Sequence, residues 1–317
     1  MARKRFPSLA EQARSRTPEI ELEAVTPGEG MLFDPSAPRH PGGRPKKVWT
    51  ACLRAKVKEE FKYYFERGQS GLYWYDNTPM RILELFDGDV ARTTLYITLL
   101  AATSPLESIK QNVRLAWRAL KLYDEVGVDE PTFKRAFRFE AHRLNVLRAL
   151  RGEPISGPKV TSFLKNLLGP TVYPDAAEAV TVDRWMVRAA HGICGTPAGW
   201  TAEDDAPSPA EYRCIEELVR RLAREAGVEP RQYQAAVWVG IKNECGSEYD
   251  IADPFEVELE RLIRSGQQRF EFEDETEFAA NPPVNQEQIT ADELDMGGGE
   301  WVAESPMALL QQGYSFA

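Results

Sequence analysis

The chain has 317 residues, of which 43% are apolar, and a mean hydropathy of -0.44. No stretch approaches about 18 uncharged apolar residues and no apolar run follows the basic start, so we expect neither a membrane partner nor a secretory signal. The four cysteines lie far apart, at Cys52, Cys194, Cys214 and Cys245. Without a C-x-x-C pair, this spacing argues against a disulfide framework and a zinc ribbon, and it predicts a protein of the reducing cytoplasm.

The net charge of -10 is distributed unevenly along the chain. Residues 1–44 carry a net charge of +1, residues 45–200 carry +6 and residues 201–317 carry -17. Because the local field governs the encounter with a charged partner, the basic middle part is compatible with a polyanion such as DNA. An ordinary domain beside a solvated acidic tail explains the same distribution.

Composition divides the chain into three parts. Residues 1–45 are rich in Pro, Gly, Ser and charge, and we expect a disordered basic arm. Residues 46–268 carry the helical pattern of a single domain. Residues 269–317 combine acidic residues with Pro-Pro and a run of three glycines, which favours a flexible acidic tail, with a peptide that mimics DNA charge as the alternative.

The domain is predicted to be all-α, because apolar positions recur at helical spacing and no segment alternates with period two. The prolines Pro105, Pro131, Pro158 and Pro230 suit first helical turns. Residues 71–77 are interpreted as a turn-rich patch before the core. The predicted helices cover residues 48–67, 79–86, 90–102, 106–124, 131–150, 158–168, 183–191, 208–226, 230–243 and 254–265.

The most informative stretch runs from residue 155 to residue 188. The residues before Pro158 form a tight turn that opens a helix, where free backbone N–H groups favour an anion such as phosphate, and Lys159 lies in the first turn. Asp183 follows the apolar Val182 at the expected N-cap of the next helix. The two residues therefore suggest an amine and carboxylate pair. Lys159 as a phosphate contact or a surface lysine, and Asp183 as a helix cap alone, remain open.

Three segments of the chain resemble the helix-hairpin-helix superfamily of base-excision DNA glycosylases, and they follow one another along the chain in the same order as in that family. The family's hairpin ends in Gly-x-Lys, and Gly157-Pro158-Lys159 matches it. Its later Val-Asp-x-His segment resembles 182–185, with Trp185 at the His position. Its Leu-Leu-Ser-Ala-Gln-Ala-Thr segment is similar to 99–105, with Thr103 at the position of the Gln that fills the hole left by a flipped base. The resemblance covers about residues 90–192 and implies a helix-hairpin-helix glycosylase-like core.

The resemblance implies a role for each matched residue. Asp183 would stabilise positive charge on the sugar or activate a nucleophile, and Lys159 would attack the sugar carbon and form a Schiff base. The implied DNA contacts are Gly157, Pro158, Thr161, Lys165, Arg184, Thr103 and Ser104. The implied base pocket comprises Asn112 and Trp185. Independently of the resemblance, an aromatic-rich segment before the core could stack on or hydrogen-bond a flipped base, namely Tyr73, Trp74, Tyr75 and Asp76. Packing of that segment on the core is the alternative.

The sequence thus predicts an enzyme that binds DNA and cleaves the N-glycosidic bond of a flipped base, without a cofactor. The three histidines have no partner at ligand spacing, so no metal is expected. Two alternatives remain: a phage-type transferase that hypermodifies thymine in DNA, and a helical DNA-binding protein without catalysis. Trp238 is interpreted as a core residue, and Gln234, four residues earlier, is left unassigned.

Overall fold

The computed structural model of the chain describes residues 51–194, 206–245 and 254–265. The predicted basic arm, residues 1–45, and the predicted acidic tail, residues 269–317, lie outside these ranges. Within the described residues every regular element is a helix, which confirms the all-α prediction. The helices are α1 Ala51–Arg67, α2 Trp74–Leu85, α3 Val90–Ala102, α4 Ile109–Val126, α5 Glu130–Ala136, α6 Glu140–Leu150, α7 Pro158–Val172, α8 Arg184–His191, α9 Pro209–Ala226, α10 Pro230–Glu244 and α11 Pro254–Arg264.

Local chemistry accounts for where these helices begin and end. The side chains of Asp89, Ser108, Asp129, Asp183 and Ser208 each accept a hydrogen bond from a backbone amide in the first turn of the helix that follows. These bonds satisfy donors that have no partner inside the helix. Prolines occupy the first turn of α5, α7, α9 and α10, where their missing N–H costs nothing.

Three local predictions differ from the structure. The aromatic-rich patch is not a turn from end to end, because α2 begins at Trp74. The helix predicted over 131–150 is two helices, α5 and α6, separated at residues 137–139 where the backbone is extended. Helix α4 begins three residues later than predicted: Leu106 has a φ of 65°, outside the helical region, and Ser108 supplies the cap.

The apolar side chains form two clusters. The larger one joins α2 to α7 with α11, and Leu100, Leu120 and Leu164 are fully buried in it. The smaller one joins α1, α8, α9 and α10. Trp238 on α10 packs against both clusters. The starts of α7 and α8 and the middle of α10 therefore meet near the junction of the two clusters.

Helices α1 and α10 cross at backbone contact distance. A Cβ atom built on Gly240 would lie 2.0 Å from the backbone oxygen of Tyr64, and one on Gly68 would lie 1.7 Å from that of Ala236. Only residues without a side chain fit at these two positions. The crossing fixes the position of α10, which contributes several residues to the site described below.

A disulfide joins Cys194, just after α8, to Cys245 at the end of α10. The sequence, whose cysteine spacing argues against a disulfide framework, did not predict this bridge. The cysteines are 51 residues apart in sequence, so their pairing depends on the packing of α8 beside α10, which spacing alone does not show. Among the described residues, Cys214 is a free thiol.

Candidate functional site

A cavity lies between the start of α4, the starts of α7 and α8, and one face each of α2, α10 and α11. Its open space of about 70 Å³ is several times what one water molecule requires. Four aromatic rings, five polar side chains and three charged side chains dominate its walls: Trp74, Phe163, Trp238 and Phe255; Tyr75, Ser104, Asn112, Thr181 and Gln234; Glu107, Lys159 and Asp183.

Lys159 reaches this cavity from the first turn of α7. Its Nζ donates a hydrogen bond to the backbone oxygen of Ser104 at 2.6 Å. Burial lowers the pKa of Lys159 to about 8, although the nearby carboxylate of Asp183 opposes that shift. A lysine with such a pKa is a neutral, nucleophilic amine in an appreciable fraction of molecules near neutral pH.

Asp183 occupies the N-cap position of α8 and uses both carboxylate oxygens. Oδ1 accepts the backbone amide hydrogens of Trp185 and Met186, at 2.9 and 3.0 Å. Oδ2 accepts the indole hydrogen of Trp238 at 2.9 Å. These three bonds fix the carboxylate in the cavity wall, where its remaining lone pairs and its charge can act on a bound molecule.

Four aromatic rings give the cavity an apolar, flat-walled character. Trp74 is central: its ring centroid lies 5.2 Å from that of Phe255, 5.6 Å from that of Trp238 and 6.3 Å from that of Phe163. The two phenylalanines are buried. Rings in such an arrangement favour a planar, conjugated group, because stacking adds to the burial of apolar area.

Glu107 is the third charged residue of the cavity. Burial raises the pKa of its carboxyl group to about 7, against the attraction of Arg184, Lys159 and Arg138. The group therefore exchanges its proton close to neutral pH. Arg184, Lys159 and Arg138 lie within electrostatic range of this side of the cavity.

The structure brings six of the predicted site residues to the cavity: Trp74, Tyr75, Ser104, Asn112, Lys159 and Asp183. Lys159 and Asp183, 24 positions apart in sequence, share this cavity because each lies at the start of a helix that faces it.

Three residues predicted for the base pocket lie away from the cavity lining. Tyr73 is exposed just before α2. The carboxylate of Asp76 forms an ion pair with Arg231, 2.6 Å between Oδ1 and Nη2. The ring of Trp185 points elsewhere, with Arg188 and Lys242 over it at 5.3 and 5.6 Å from its centroid.

Thr103, at the predicted wedge position, is fully buried. Its hydroxyl lies 2.8 Å from the backbone oxygen of Leu99 and 2.6 Å from Oδ1 of Asn112. A side chain in this position cannot fill a gap in a DNA duplex without leaving the core. The exposed residue nearest to it is Leu106, which directly follows the matched segment 99–105.

The predicted hairpin lies between α6 and α7, but part of its backbone is already hydrogen-bonded. The amide of Ser156 donates to Oδ1 of Asn145 at 2.9 Å, so it is not free for a phosphate as the sequence suggested. Gly157 has a φ of 107°, a conformation that favours glycine, and lies at the N-cap of α7, followed by Pro158. Thr161 is buried and donates to the backbone oxygen of Gly157 at 3.0 Å.

Two predicted cationic contacts already have protein partners. Lys165 forms an ion pair with Asp175, 2.6 Å between Nζ and Oδ2. Arg184 donates to the backbone oxygen of Leu106 at 3.2 Å and lies close enough to Glu107 to influence its pKa. Arg184 therefore stays near the cavity, while the Lys165 ammonium is engaged along the surface of α7.

Sequence reasoning missed Glu107 and Phe255 and interpreted Trp238 as a core residue. The indole of Trp238 does pack in the core, but its N–H also holds Asp183. The four-residue spacing of Gln234 and Trp238 on one face of α10 was the available signal for both. Nothing in the local sequence signals the role of Phe255, which reaches the cavity from α11.

In the part of the chain that the structure describes, no three His, Cys, Asp or Glu side chains form a group that could hold a metal ion. No helix in the same part is both long and apolar enough to cross a membrane. Neither a curated protein nor a solved structure matches the chain. One family does match, over residues 65–245, a range that includes most of the cavity. The chain belongs to this family, DUF7178, a family of unknown function.

Proposed function

We propose that the protein is an enzyme that acts on a base flipped out of DNA and cleaves its N-glycosidic bond. The observation that carries this proposal is the common cavity of Lys159 and Asp183, which also has aromatic walls. The resemblance of residues 90–192 to helix-hairpin-helix glycosylases, which suggested these two residues, adds to it. A base inside a duplex is out of reach of any enzyme group, so the cavity would receive it after flipping.

The two residues have complementary roles in such a reaction. The neutral amine of Lys159 attacks C1′ of the sugar, the C1′–N bond breaks, and its electron pair leaves with the base. Asp183 stabilises the positive charge that develops on the sugar. Loss of a proton from the attached amine and opening of the sugar ring then give a Schiff base, which borohydride reduces to a stable crosslink.

The charges around the cavity support a DNA substrate. Lys159, Arg184 and Arg138 lie within electrostatic range of Glu107, and Arg184 and Lys242 influence each other. Such a group of cations beside an apolar cavity suits a ligand that carries a planar base on a phosphate backbone. It also agrees with the net charge of +6 over residues 45–200.

The test is borohydride trapping on duplex DNA that carries a single abasic site or a damaged or modified base. The wild-type protein should form a covalent product, and Lys159→Gln should abolish it. Lys134→Gln on α5 is the matched control, because Lys134 is exposed and does not line the cavity. Loss of trapping in both variants, or in neither, would contradict the role of Lys159.

Asp183→Asn tests the carboxylate. We expect turnover to fall by roughly a hundredfold or more, the scale for removing one electrostatic stabiliser. The free energy of unfolding should fall by only about 1 kcal/mol, since Asn caps helices as well as Asp and the hydrogen bond from Trp238 is the main loss. Asp129→Asn is the matched control, because Asp129 caps α5 in the same way but does not line the cavity. A fully active Asp183→Asn protein would end the catalytic claim.

The same assay separates the competing functions. An intact strand of increased mass would favour transfer of a group to the base, as in enzymes that hypermodify thymine. Salt-dependent binding without any product on any substrate would favour a DNA-binding protein without catalysis.

A further inference from the structure

Gln234 is a buried amide in the cavity wall that the proposed reaction does not use. It lies on α10, its side chain is only 2% exposed, and it faces the cavity beside the aromatic rings. A primary amide has one acceptor oxygen and two donor hydrogens, so its orientation decides what it offers to a ligand.

A hydrogen bond from a neighbouring side chain sets that orientation. The phenol hydrogen of Tyr75 goes to Oε1 of Gln234 at 2.8 Å. Because this bond occupies the acceptor oxygen, it leaves the two hydrogens on Nε2 of Gln234 as the donors that the cavity wall offers to a ligand.

The bond that Tyr75 gives to Gln234 ends on Oε1 and not on Nε2. A ligand that supplies an acceptor beside Nε2 therefore gains a hydrogen bond to a donor in the cavity wall. Asn112 does not give the same information: Thr103 has one hydroxyl hydrogen for two acceptors, which leaves the orientation of the Asn112 amide open.

We propose that Gln234 selects bases that carry an exocyclic oxygen, such as uracil and hypoxanthine, over those that carry an amino group there, such as cytosine and adenine. Nε2 donates to the exocyclic oxygen of a base that lies among the aromatic rings, whereas an amino group at that place sets donor against donor. The inference rests on the proposed function in that the occupant of the cavity is a flipped base.

Two matched pairs of bases test the inference. Uracil differs from cytosine, and hypoxanthine from adenine, by an oxygen in place of an amino group at one ring position and by a hydrogen on the adjacent ring nitrogen. We would measure equilibrium binding of the full-length Asp183→Asn protein to four duplexes that differ only in this base, each carrying it unpaired in the same single-nucleotide bulge so that base pairing is the same. Each oxo base should bind at least about tenfold more tightly than its amino counterpart, the scale of one hydrogen bond to a buried group.

Gln234→Glu, in the Asp183→Asn protein, should reverse the preference. One carboxylate oxygen still accepts from Tyr75, and the other offers an acceptor where Nε2 offered donors, so the amino bases should bind more tightly. Asn243→Asp, an exposed amide on the same helix, controls for the added negative charge and should leave the preference unchanged.

Tyr75→Phe removes the bond that orients the amide without changing Gln234 itself. The preference should shrink toward equal binding, while an abasic duplex should bind as before. This variant also keeps the test decisive if Gln234→Glu fails to fold, which its circular dichroism spectrum and melting temperature would reveal.

Equal binding of both members of each pair by the Asp183→Asn protein would overturn the role of Gln234, whatever the chemistry. A Tyr75→Phe protein that folds and keeps the full preference would overturn it as well. Failure of the proposed function has a different signature: the oxo bases bind preferentially, but the wild-type protein gives no product and no trapped complex on any duplex.

Discussion

The chemistry of Lys159 depends on its surroundings more than on its place in the sequence. In water its ammonium group would lose a proton near pH 10.5, whereas burial at the start of α7 lowers its pKa to about 8. At pH 7 the neutral amine then amounts to about one molecule in ten, instead of a few in ten thousand.

The first prediction concerns the pH dependence of Schiff-base formation. Because the neutral amine is the nucleophile in the proposed reaction, the single-turnover rate of trapping on an abasic duplex should rise with pH and level off above about 8. Rates measured from pH 6 to pH 10 would check this. A rate that continues to rise to pH 10 would mean that the reacting lysine has an unshifted pKa and is another residue.

Glu107 links the cavity to stability. Its carboxyl group has a pKa of about 7 in the folded protein, and its unperturbed pKa is 4.5. Between these two values the folded protein holds a proton that the unfolded chain has lost. The contribution of Glu107 to the free energy of unfolding therefore falls as pH rises from 4.5 to 7. Above pH 7 the buried carboxyl group is ionised, and the full destabilisation is present.

The second prediction is that Glu107→Gln stabilises the protein in a pH-dependent way. Gln imitates the protonated carboxyl group, so the variant should exceed the wild type at pH 8 by about 1–3 kcal/mol in free energy of unfolding and match it at pH 4. Urea unfolding at both pH values measures this difference. Glu153→Gln, at an exposed site, should show no such trend, and an equal gain for both variants would refute the role of burial.

At the scale of elements, the crossing of α1 and α10 leaves no room for a side chain. The third prediction is that Gly240→Ala lowers the free energy of unfolding by several kcal/mol, because the new methyl group meets the backbone oxygen of Tyr64 and the helices must separate. Chemical denaturation would show the loss, with Glu217→Ala on the exposed face of α9 as the control. A Gly240→Ala protein as stable as the wild type would mean that the helices cross at a larger distance.

The sequence predicts most elements well, for reasons that are local. Residues 90–102 are predicted to the residue, because Asp89 caps the helix and apolar residues follow at helical spacing. The first turns of α7 and α10 are marked by Pro158 and Pro230. Errors occur where tertiary contacts determine the local structure. The local sequence does not indicate, for example, that a helix begins at Trp74.

The site was predictable only in part, for the same physical reason. Lys159 and Asp183 lie at helix starts, which leave a local signature. Phe255 and Gln234 reach the cavity from helices that come late in the chain, and their place depends on how α10 and α11 pack. The pKa of Glu107 depends on burial, which one-dimensional information does not supply.

At the scale of the whole molecule, charge is separated between the basic part and the acidic C-terminal part. The fourth prediction is that deletion of residues 270–317 strengthens DNA binding, since this removes eleven acidic residues and no basic one and changes the net charge from -10 to +1. Titrations of full-length and truncated protein with a duplex, at several salt concentrations, would measure the effect. Affinity should fall as salt rises, and unchanged affinity on truncation would leave the tail as a solubility element.

Asp183 ties the filling of the cavity to the integrity of a short helix. The carboxylate oxygen that holds the amides of Trp185 and Met186 belongs to the same group that faces the cavity, and α8 has only eight residues. A bound molecule that interacts with the Asp183 carboxylate must change the strength of the hydrogen bonds that this carboxylate accepts from those two amides. Their exchange with deuterium is therefore a reporter of occupancy that needs neither a label nor turnover, and it should respond to a cavity ligand before any reaction takes place.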